Sequence, residues 1–597
     1  MKTYLSKVLY VLSGKGYQLA MLLIAFVFAS LLEALGIGLI GPFLSIVADP
    51  SIVKTQPFLR WLTGVLNLTT ESQAIIGIGL LVMLLFCFKA VAYFLCKIHI
   101  YRFSYRQKKE LEKRLVHTYL HIPYLFHLNH NSAVMIKNIV VESYQLAANC
   151  LVPLLEVVAN IVIVVVLLTL LAFTDLSLLV VALAILLPVS IIFARISRRV
   201  RNWGAIKSDT QGDMVRAINH GLGGLKETKV IGCEDYFERD LATHATEFSK
   251  AAVWVEGFYI LPRITIETIL VLFLLAFIVF SQLMLGRTLE DLTSVMGVFA
   301  VASIRLLPAA SQSLSALTSL RESSYALDML YHDLKELEHF GRPNRGPAPQ
   351  PNLAGHNPSL TTTFNYEITL EQLSYRYPSV DKPAIQDLSL TIRKGESIAL
   401  VGKSGSGKTT LVDIVLGLLQ PESGDIKVDG VSVYNNLRAW QNLLGYIPQS
   451  IFLSDETIEQ NIAFGVPADQ IDPERLWEAI QAAQLEDLIA TLPEGVKTPV
   501  GERGVRLSGG QRQRIGIARA LYHGREILVL DEATSALDTE TEQRVSAAIN
   551  ALAGSKTLII IAHRFSTIEQ CDRIYRLDQG RLQQSGTYEE VISSPSA

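Results

Sequence analysis

SIALVGKSGSGKTTLVDIVLGL, residues 397–418, decides how the C-terminal part of this chain folds. Ser397-Ile398-Ala399-Leu400-Val401 reads as a buried strand, Gly402–Thr409 fits GxxxxGK[ST], and Thr409–Leu418 reads as a helix. A phosphate-binding loop needs that strand–loop–helix setting. Glycines let the backbone N–H groups curl around phosphate oxygens, and the helix N-terminus adds partial positive charge. Lys408 is expected to reach the β- and γ-phosphates of ATP and Thr409 to bind Mg²⁺. Gly402, Ser404, Gly405, Gly407 and Thr410 are expected to complete the cradle.

Two further stretches carry chemistry. Ile527-Leu528-Val529-Leu530-Asp531 is an apolar strand ending in a carboxylate. Asp531 is expected to reach Mg²⁺, and Glu532 beside it to accept a proton from the attacking water. LSGGQRQR at Leu507–Arg514 places a serine and two glycines at the start of a helix, which makes a second phosphate cradle.

With all three motifs in order, residues 361–597 resemble the nucleotide-binding domain of ABC transporters. The resemblance implies two ATPs sandwiched between two such domains. Ser508 and Gly510, with Gly509 and Gln511, would bind the γ-phosphate of ATP held by the opposite subunit. Tyr377 in LSYRYP resembles the aromatic that stacks on adenine, ahead of Tyr375. Gln449 in YIPQS resembles the residue that touches Mg²⁺ and senses the membrane domain. Ser535–Asp538 resembles the D-loop, His563 the switch histidine at the γ-phosphate, and Val500–Gly504 the exporter-type loop that contacts membrane helices. Glu532, His563, Lys408 and Gln449 are thus the catalytic candidates, and a symmetric homodimer is the simplest assembly.

Upstream the composition changes. Apolar runs lie at roughly 19–47, 75–95, 147–171, 176–194, 258–280 and 292–310, each about long enough to cross a hydrocarbon core of ~30 Å. The first run contains Glu33 and no small-residue cleavage site, so it does not read as a signal peptide. Lys and Arg crowd the segments after the second and fourth runs, from Lys97 to Arg114 and from Arg195 to Lys207. Six spans with both termini and the ATPase domain in the cytoplasm follow, as expected of an inner-membrane protein.

The expected architecture is an α-helical membrane domain of six transmembrane helices with long cytoplasmic extensions (1–330), a Pro- and Gly-rich linker (331–360) and an α/β ATPase domain (361–597). Basic stretches 97–146 and 195–257 read as helical hairpins projecting from the membrane, with tips near 129–138 and 221–227. Phe58–Leu66 places its apolar residues on one helical face, and reads equally as a helix in the lipid interface or one packed on neighbouring spans. Five scattered cysteines suggest neither disulfides nor a zinc site. The net charge of −3 argues for no partner, and the spans exclude a soluble nucleic-acid-linked ATPase.

Ionisable residues inside spans are costly, so Lys89, Arg263 and Arg305 are cargo-site candidates. The competing reading is that they and Glu33, Glu156 and Glu267 neutralise one another. Doubled in a homodimer, the three cations would suit a phosphate-bearing lipid. LLEALGIGLIGPFLSIVAD (31–49), LPRITIETIL (261–270) and SIRLLPAASQSLSAL (303–317) resemble the bacterial flippases of protein N-glycosylation, which move lipid-linked oligosaccharides on a polyprenyl diphosphate. An exporter of another lipid, drug or peptide, and an ATP-gated channel or regulator, are the alternatives.

Overall fold

The computed structural model describes residues 2–12, 16–38, 43, 47, 70–174, 176–196, 198–285, 289–340, 363–378, 380–531, 539–561 and 568–592. The interfacial segment 58–66 and residues 341–360 of the expected linker fall outside them. Residues 331–340, also expected as linker, are instead the end of a helix that runs Ser324–Phe340, whose apolar residues pack in a core. The chain divides into two compact units: Met1–Ile122 with Phe126–Gly346, and Pro123–Leu125 with Pro347–Ala597.

The first unit is helical. Helices α1 (Lys2–Val11), α2 (Gly16–Gly38), α3 (Glu71–His121), α4 (Val152–Thr174), α5 (Leu176–Ile196), α6 (Arg198–Gly223), α7 (Leu225–Ile231), α8 (Glu234–Leu285), α9 (Leu289–Glu322) and α10 (Ser324–Phe340) form its frame. The chain enters α4 from residue 132 through two π-helical turns, Asn138–Glu142 and Leu146–Leu151. A capping box starts α3: Thr70 Oγ1 accepts from Gln73 N and Gln73 Oε1 from Thr70 N. With 51 residues, α3 runs about 76 Å, far more than a ~30 Å hydrocarbon core needs. The 52 residues of α8 give the same excess. Among the described residues, the helical stretches Ile75–His121 and Ser132–Thr169 are long and apolar enough to cross a bilayer.

Helices α6 and α8 pack side by side. Trp203 stacks on Trp254 with ring centroids 5.5 Å apart and meets Phe258 at 5.4 Å. Gly204 permits the approach of α9, since a Cβ there would stand 2.9 Å from Glu322 O. Glu322, nearly buried, accepts from Lys207 Nζ at 2.9 Å and from Tyr259 Oη at 2.6 Å. Helix α1 lays Val8 and Val11, with Leu12 just after it, in the core that holds Leu327, Leu330 and Leu334 of α10, and Lys7 pairs with Asp328 at 2.7 Å.

The second unit holds two sheets. An antiparallel sheet, in the order β2-β1-β4-β5, joins β1 (Glu367–Tyr375), β2 (Ile385–Arg393), β4 (Ser423–Val428) and β5 (Val431–Ser432). A mainly parallel sheet, β10-β9-β3-β8-β7-β6, joins β3 (Ser397–Val401), β6 (Leu444–Ile447), β7 (Ile527–Asp531), β8 (Thr557–Ile561), β9 (Arg573–Asp578) and β10 (Arg581–Gly586). Strands β3 and β8 are buried throughout, which is why both read as unbroken apolar runs. The antiparallel sheet was not legible as a separate layer.

The loop helix α11 (Lys408–Val415) ends three residues earlier than its apolar pattern suggests. Gly417 stops it in a left-handed conformation, φ +68°, where a Cβ would lie 2.5 Å from Leu437 Cδ1. Fully buried Trp440 donates from Nε1 to Val415 O at 2.7 Å, satisfying a carbonyl at the helix end.

Candidate ATP site

Parallel pairing brings four strand ends to one edge. Leu400 of β3 and Asp531 of β7 both pair with Ile561 of β8, and Leu530 of β7 pairs with Ile447 of β6. The loop after β3, Asp531, and Gln449 two residues beyond β6 therefore emerge together, where open α/β sheets bind ligands.

The loop itself is a cradle that only glycine can build. A Cβ on Gly402 would fall 2.3 Å from Leu577 O, and one on Gly407, at φ +103°, 2.7 Å from Ala384 O. Gly407 is the N-cap of α11 and brings no side chain to cap the helix N–H groups. Ser406 Oγ is buried and has no partner among the described residues, while Ser404, Gly405 and Thr409 are exposed. Lys408 Nζ folds over the loop and donates to Gly402 O at 2.8 Å and Lys403 O at 3.1 Å. Unfilled donors, an orphaned hydroxyl and a poised ammonium fit a polyphosphate.

Acidic groups stand opposite. Asp531 accepts from Tyr446 Oη at 3.4 Å. Burial and the neighbouring Asp531 push the Asp413 carboxyl up to about 6. Burial, then Asp531, also raises the Tyr446 phenol. Two facing carboxylates beside exposed Thr409 and Gln449 make a fitting donor set for Mg²⁺. Glu532, Ser535–Asp538 and His563 lie outside the described residues.

Tyr375 and Tyr377 separate cleanly. Tyr375 is 5% exposed in the core of the antiparallel sheet. Tyr377 is half-buried, with Oη 3.2 Å from Thr410 Oγ1, the last residue of the cradle. Ser508 is exposed and caps α12 (Gly509–Tyr522): its Oγ accepts from Gln511 N at 3.3 Å, and its N–H donates to Gln511 Oε1 at 2.7 Å. The hydroxyl proton stays available to an anion.

Residues 385–535 match the ABC transporter family model and residues 19–301 the ABC transporter transmembrane region. The chain is 31% identical over 480 residues to an ATP-dependent lipid A-core flippase of Cupriavidus pinatubonensis, covering 80% of this chain and 78% of that one. The protein of the same description from Thiobacillus denitrificans is 30% identical over 559 residues, covering 92% and 90%. A solved bacterial Atm1-family ABC exporter with ATP bound shares the fold: TM-score 0.73, 22% identity, 98% of this chain and 97% of that one. The chain is an ABC exporter half-transporter. This exporter binds ATP and couples its hydrolysis to transport across a membrane.

In the exporter's membrane unit, Lys89 of α3 is 7% exposed, with Nζ 4.6 Å from the Phe86 ring centroid. Arg263 of α8 is exposed, as is Glu267 one turn on. Arg305 belongs to α9, but its side chain and that of Glu33 are outside the described residues. Mutual neutralisation fails for Glu156, which pairs instead with Lys97. The basic residue lies two residues beyond the apolar run, where the ion pair costs less desolvation than at the span centre. Reading the sequence alone missed Asp413 and Tyr446. Asp413 stands four residues after Thr409, one helical turn along the same face, a spacing that could have flagged it.

Proposed function

We propose that the exporter works as a homodimeric flippase for an anionic, phosphate-bearing glycolipid in the inner membrane. Six spans carry the cargo path, with both termini and the ATPase domains in the cytoplasm. The observation that carries this reading is similarity, over 80% and 92% of the chain, to proteins described as lipid A-core flippases. Lys89, buried in α3, adds a cation at membrane depth that suits a phosphate. Lipid A-core and a polyprenyl diphosphate oligosaccharide share that chemistry: acyl or prenyl chains, phosphate and sugar.

Two ATPs are sandwiched between the ATPase domains. Each phosphate chain sits in the Gly402–Thr410 cradle under Lys408, with Ser508, Gly509, Gly510 and Gln511 of the other subunit closing on it. Mg²⁺ is held by Thr409, Gln449 and Asp531, Glu532 takes the proton from water, and His563 holds the γ-phosphate. Exposed Leu222, Val230 and Ile231 around α7 favour a hairpin tip that docks on a partner surface. Arg263 and Arg305 join Lys89 at the cargo. Pro262 and Pro308 lie close to these arginines inside α8 and α9, and each removes a backbone hydrogen bond from its helix.

The test is ATP-dependent flipping in liposomes. Polyprenyl diphosphate oligosaccharide and core-bearing lipid A are offered separately, beside a neutral glycolipid. Transport of either phosphate-bearing lipid, lost in Arg263→Ala and Arg305→Ala, supports the reading. Transport of the neutral lipid alone ends it.

A further inference from the structure

At 1.5 Å per residue the apolar run 75–95 of α3 spans about 30 Å, a full hydrocarbon core. On the topology proposed above, the inner boundary therefore falls near Leu95. Beyond it Tyr101 and Tyr105 are 45% and 44% exposed. Tyr144, between the two π-helical turns, is 47% exposed, and its ring lies 6.4 Å from that of Tyr105. Arg102 and Arg106 are exposed along the adjoining stripe of α3.

Three other basic residues of this stretch are engaged, while Lys109 and Lys113 lie exposed farther along the helix. Lys97 pairs with Glu156, Lys108 with Glu112 at 2.5 Å, and Arg114 with Glu338 at 3.3 Å. Among the described residues, neither Arg102 nor Arg106 has a carboxylate within ion-pair distance. The strip thus couples two ready guanidinium groups with three open aromatic rings.

An interfacial aromatic belt is the ordinary explanation for tyrosine near a bilayer. Depth argues otherwise. The headgroup layer is about 5–8 Å thick on each side. Tyr105 stands about 15 Å beyond Leu95 along the axis, and a helix tilt of up to ~40° shortens that only to about 11 Å. A belt residue gains nothing there. The sugars of a glycolipid extend to that depth, with their lipid phosphate nearer the membrane, towards Arg102.

We propose that Tyr101, Tyr105 and Tyr144, with Arg102 and Arg106, form a headgroup subsite for the phosphate and glycan of the cargo. This rests on the glycolipid reading above and specifies which part of the lipid is read. A tyrosine ring offers a flat apolar face to the C–H face of a sugar and a hydroxyl to its oxygens, at the entropy cost of two torsions. Guanidinium meets phosphate with two parallel charge-assisted hydrogen bonds.

The experiment uses the full chain in liposomes and two pairs of probes. One pair is a polyprenyl diphosphate with and without its oligosaccharide. The other is lipid A with and without its core sugars. Wild-type flipping establishes which pair the exporter moves. In Tyr105→Ala/Tyr144→Ala the half-saturating concentration of the sugar-bearing member rises about tenfold, and that of the bare member does not move. Tyr105→Phe/Tyr144→Phe restores most of the loss, because the rings remain. Arg102→Gln/Arg106→Gln weakens both members. Equal loss for both members in the alanine pair overturns the subsite and makes the tyrosines an interface anchor. No loss for either also overturns it, leaving the face to contact with a second copy. A wild-type protein that moves none of the probes defeats the glycolipid reading itself, and the subsite with it.

Discussion

Lys207 of α6 and Glu322 of α9 form an ion pair of 2.9 Å in which the carboxylate side chain is only 6% exposed. Removing the lysine leaves a buried charge with Tyr259 as its remaining strong donor. Lys207→Met should therefore destabilise the membrane unit by about 3 kcal/mol, while the double change Lys207→Met/Glu322→Leu recovers much of that. Thermal inactivation midpoints in one detergent check the order of the three proteins.

Tyr375 and Tyr377 are two residues apart and should fail differently. Tyr377→Ala should raise the KM for ATP several-fold, up to about tenfold, and leave stability nearly unchanged. Tyr375→Ala empties a core position and should cost about 3 kcal/mol of stability. Comparing ATPase saturation curves with unfolding midpoints separates the two. Equal KM effects would sink the assignment of Tyr377 to the nucleotide.

Ser508 caps α12 and, in the proposed dimer, touches phosphate. Asp caps a helix as well as Ser does but repels an anion. Ser508→Asp should keep stability within about 0.5 kcal/mol and reduce ATP turnover by roughly 100-fold or more. A mutant that is stable and active removes the phosphate role.

Asp429 accepts from the N–H groups of Asn365, Tyr366 and Glu367 at 2.7, 2.8 and 2.9 Å. Burial works to raise its carboxyl, but the three donors and Lys394 outweigh it and hold the group below the usual range. A depressed folded value gives stability that is present above the unfolded value near ~4 and lost as pH falls through the folded one. Asp429→Asn should cost about 1 kcal/mol at neutral pH, because the carboxylate is only partly buried, and should flatten the acid limb of the stability curve. Unfolding midpoints between about pH 3 and 7 measure both effects.

The ATPase unit was legible where its information is local. Ser397–Val401 and Thr557–Ile561 are strands at the residues their apolar runs suggested, because a strand buried on both faces admits little else. Helix α11 overran in the reading because Leu416 and Leu418 continue its apolar pattern past the glycine that ends it. In the membrane unit, the length of the apolar runs located the rods but not their charge partners. Glu156 meets Lys97, and Glu322 meets Lys207, across separate helices.

By itself the sequence determined the phosphate loop, the Asp531 strand and the capped start of α12. Each is built from consecutive residues whose backbone preferences and apolar period suffice. Tertiary structure decided what distant segments share: Tyr446 beside Asp531, Tyr377 on Thr410, the open ring of Tyr144 near Tyr105. Those neighbours are set by strand order and helix packing, and a contact between residues far apart in the chain leaves no periodic trace in it.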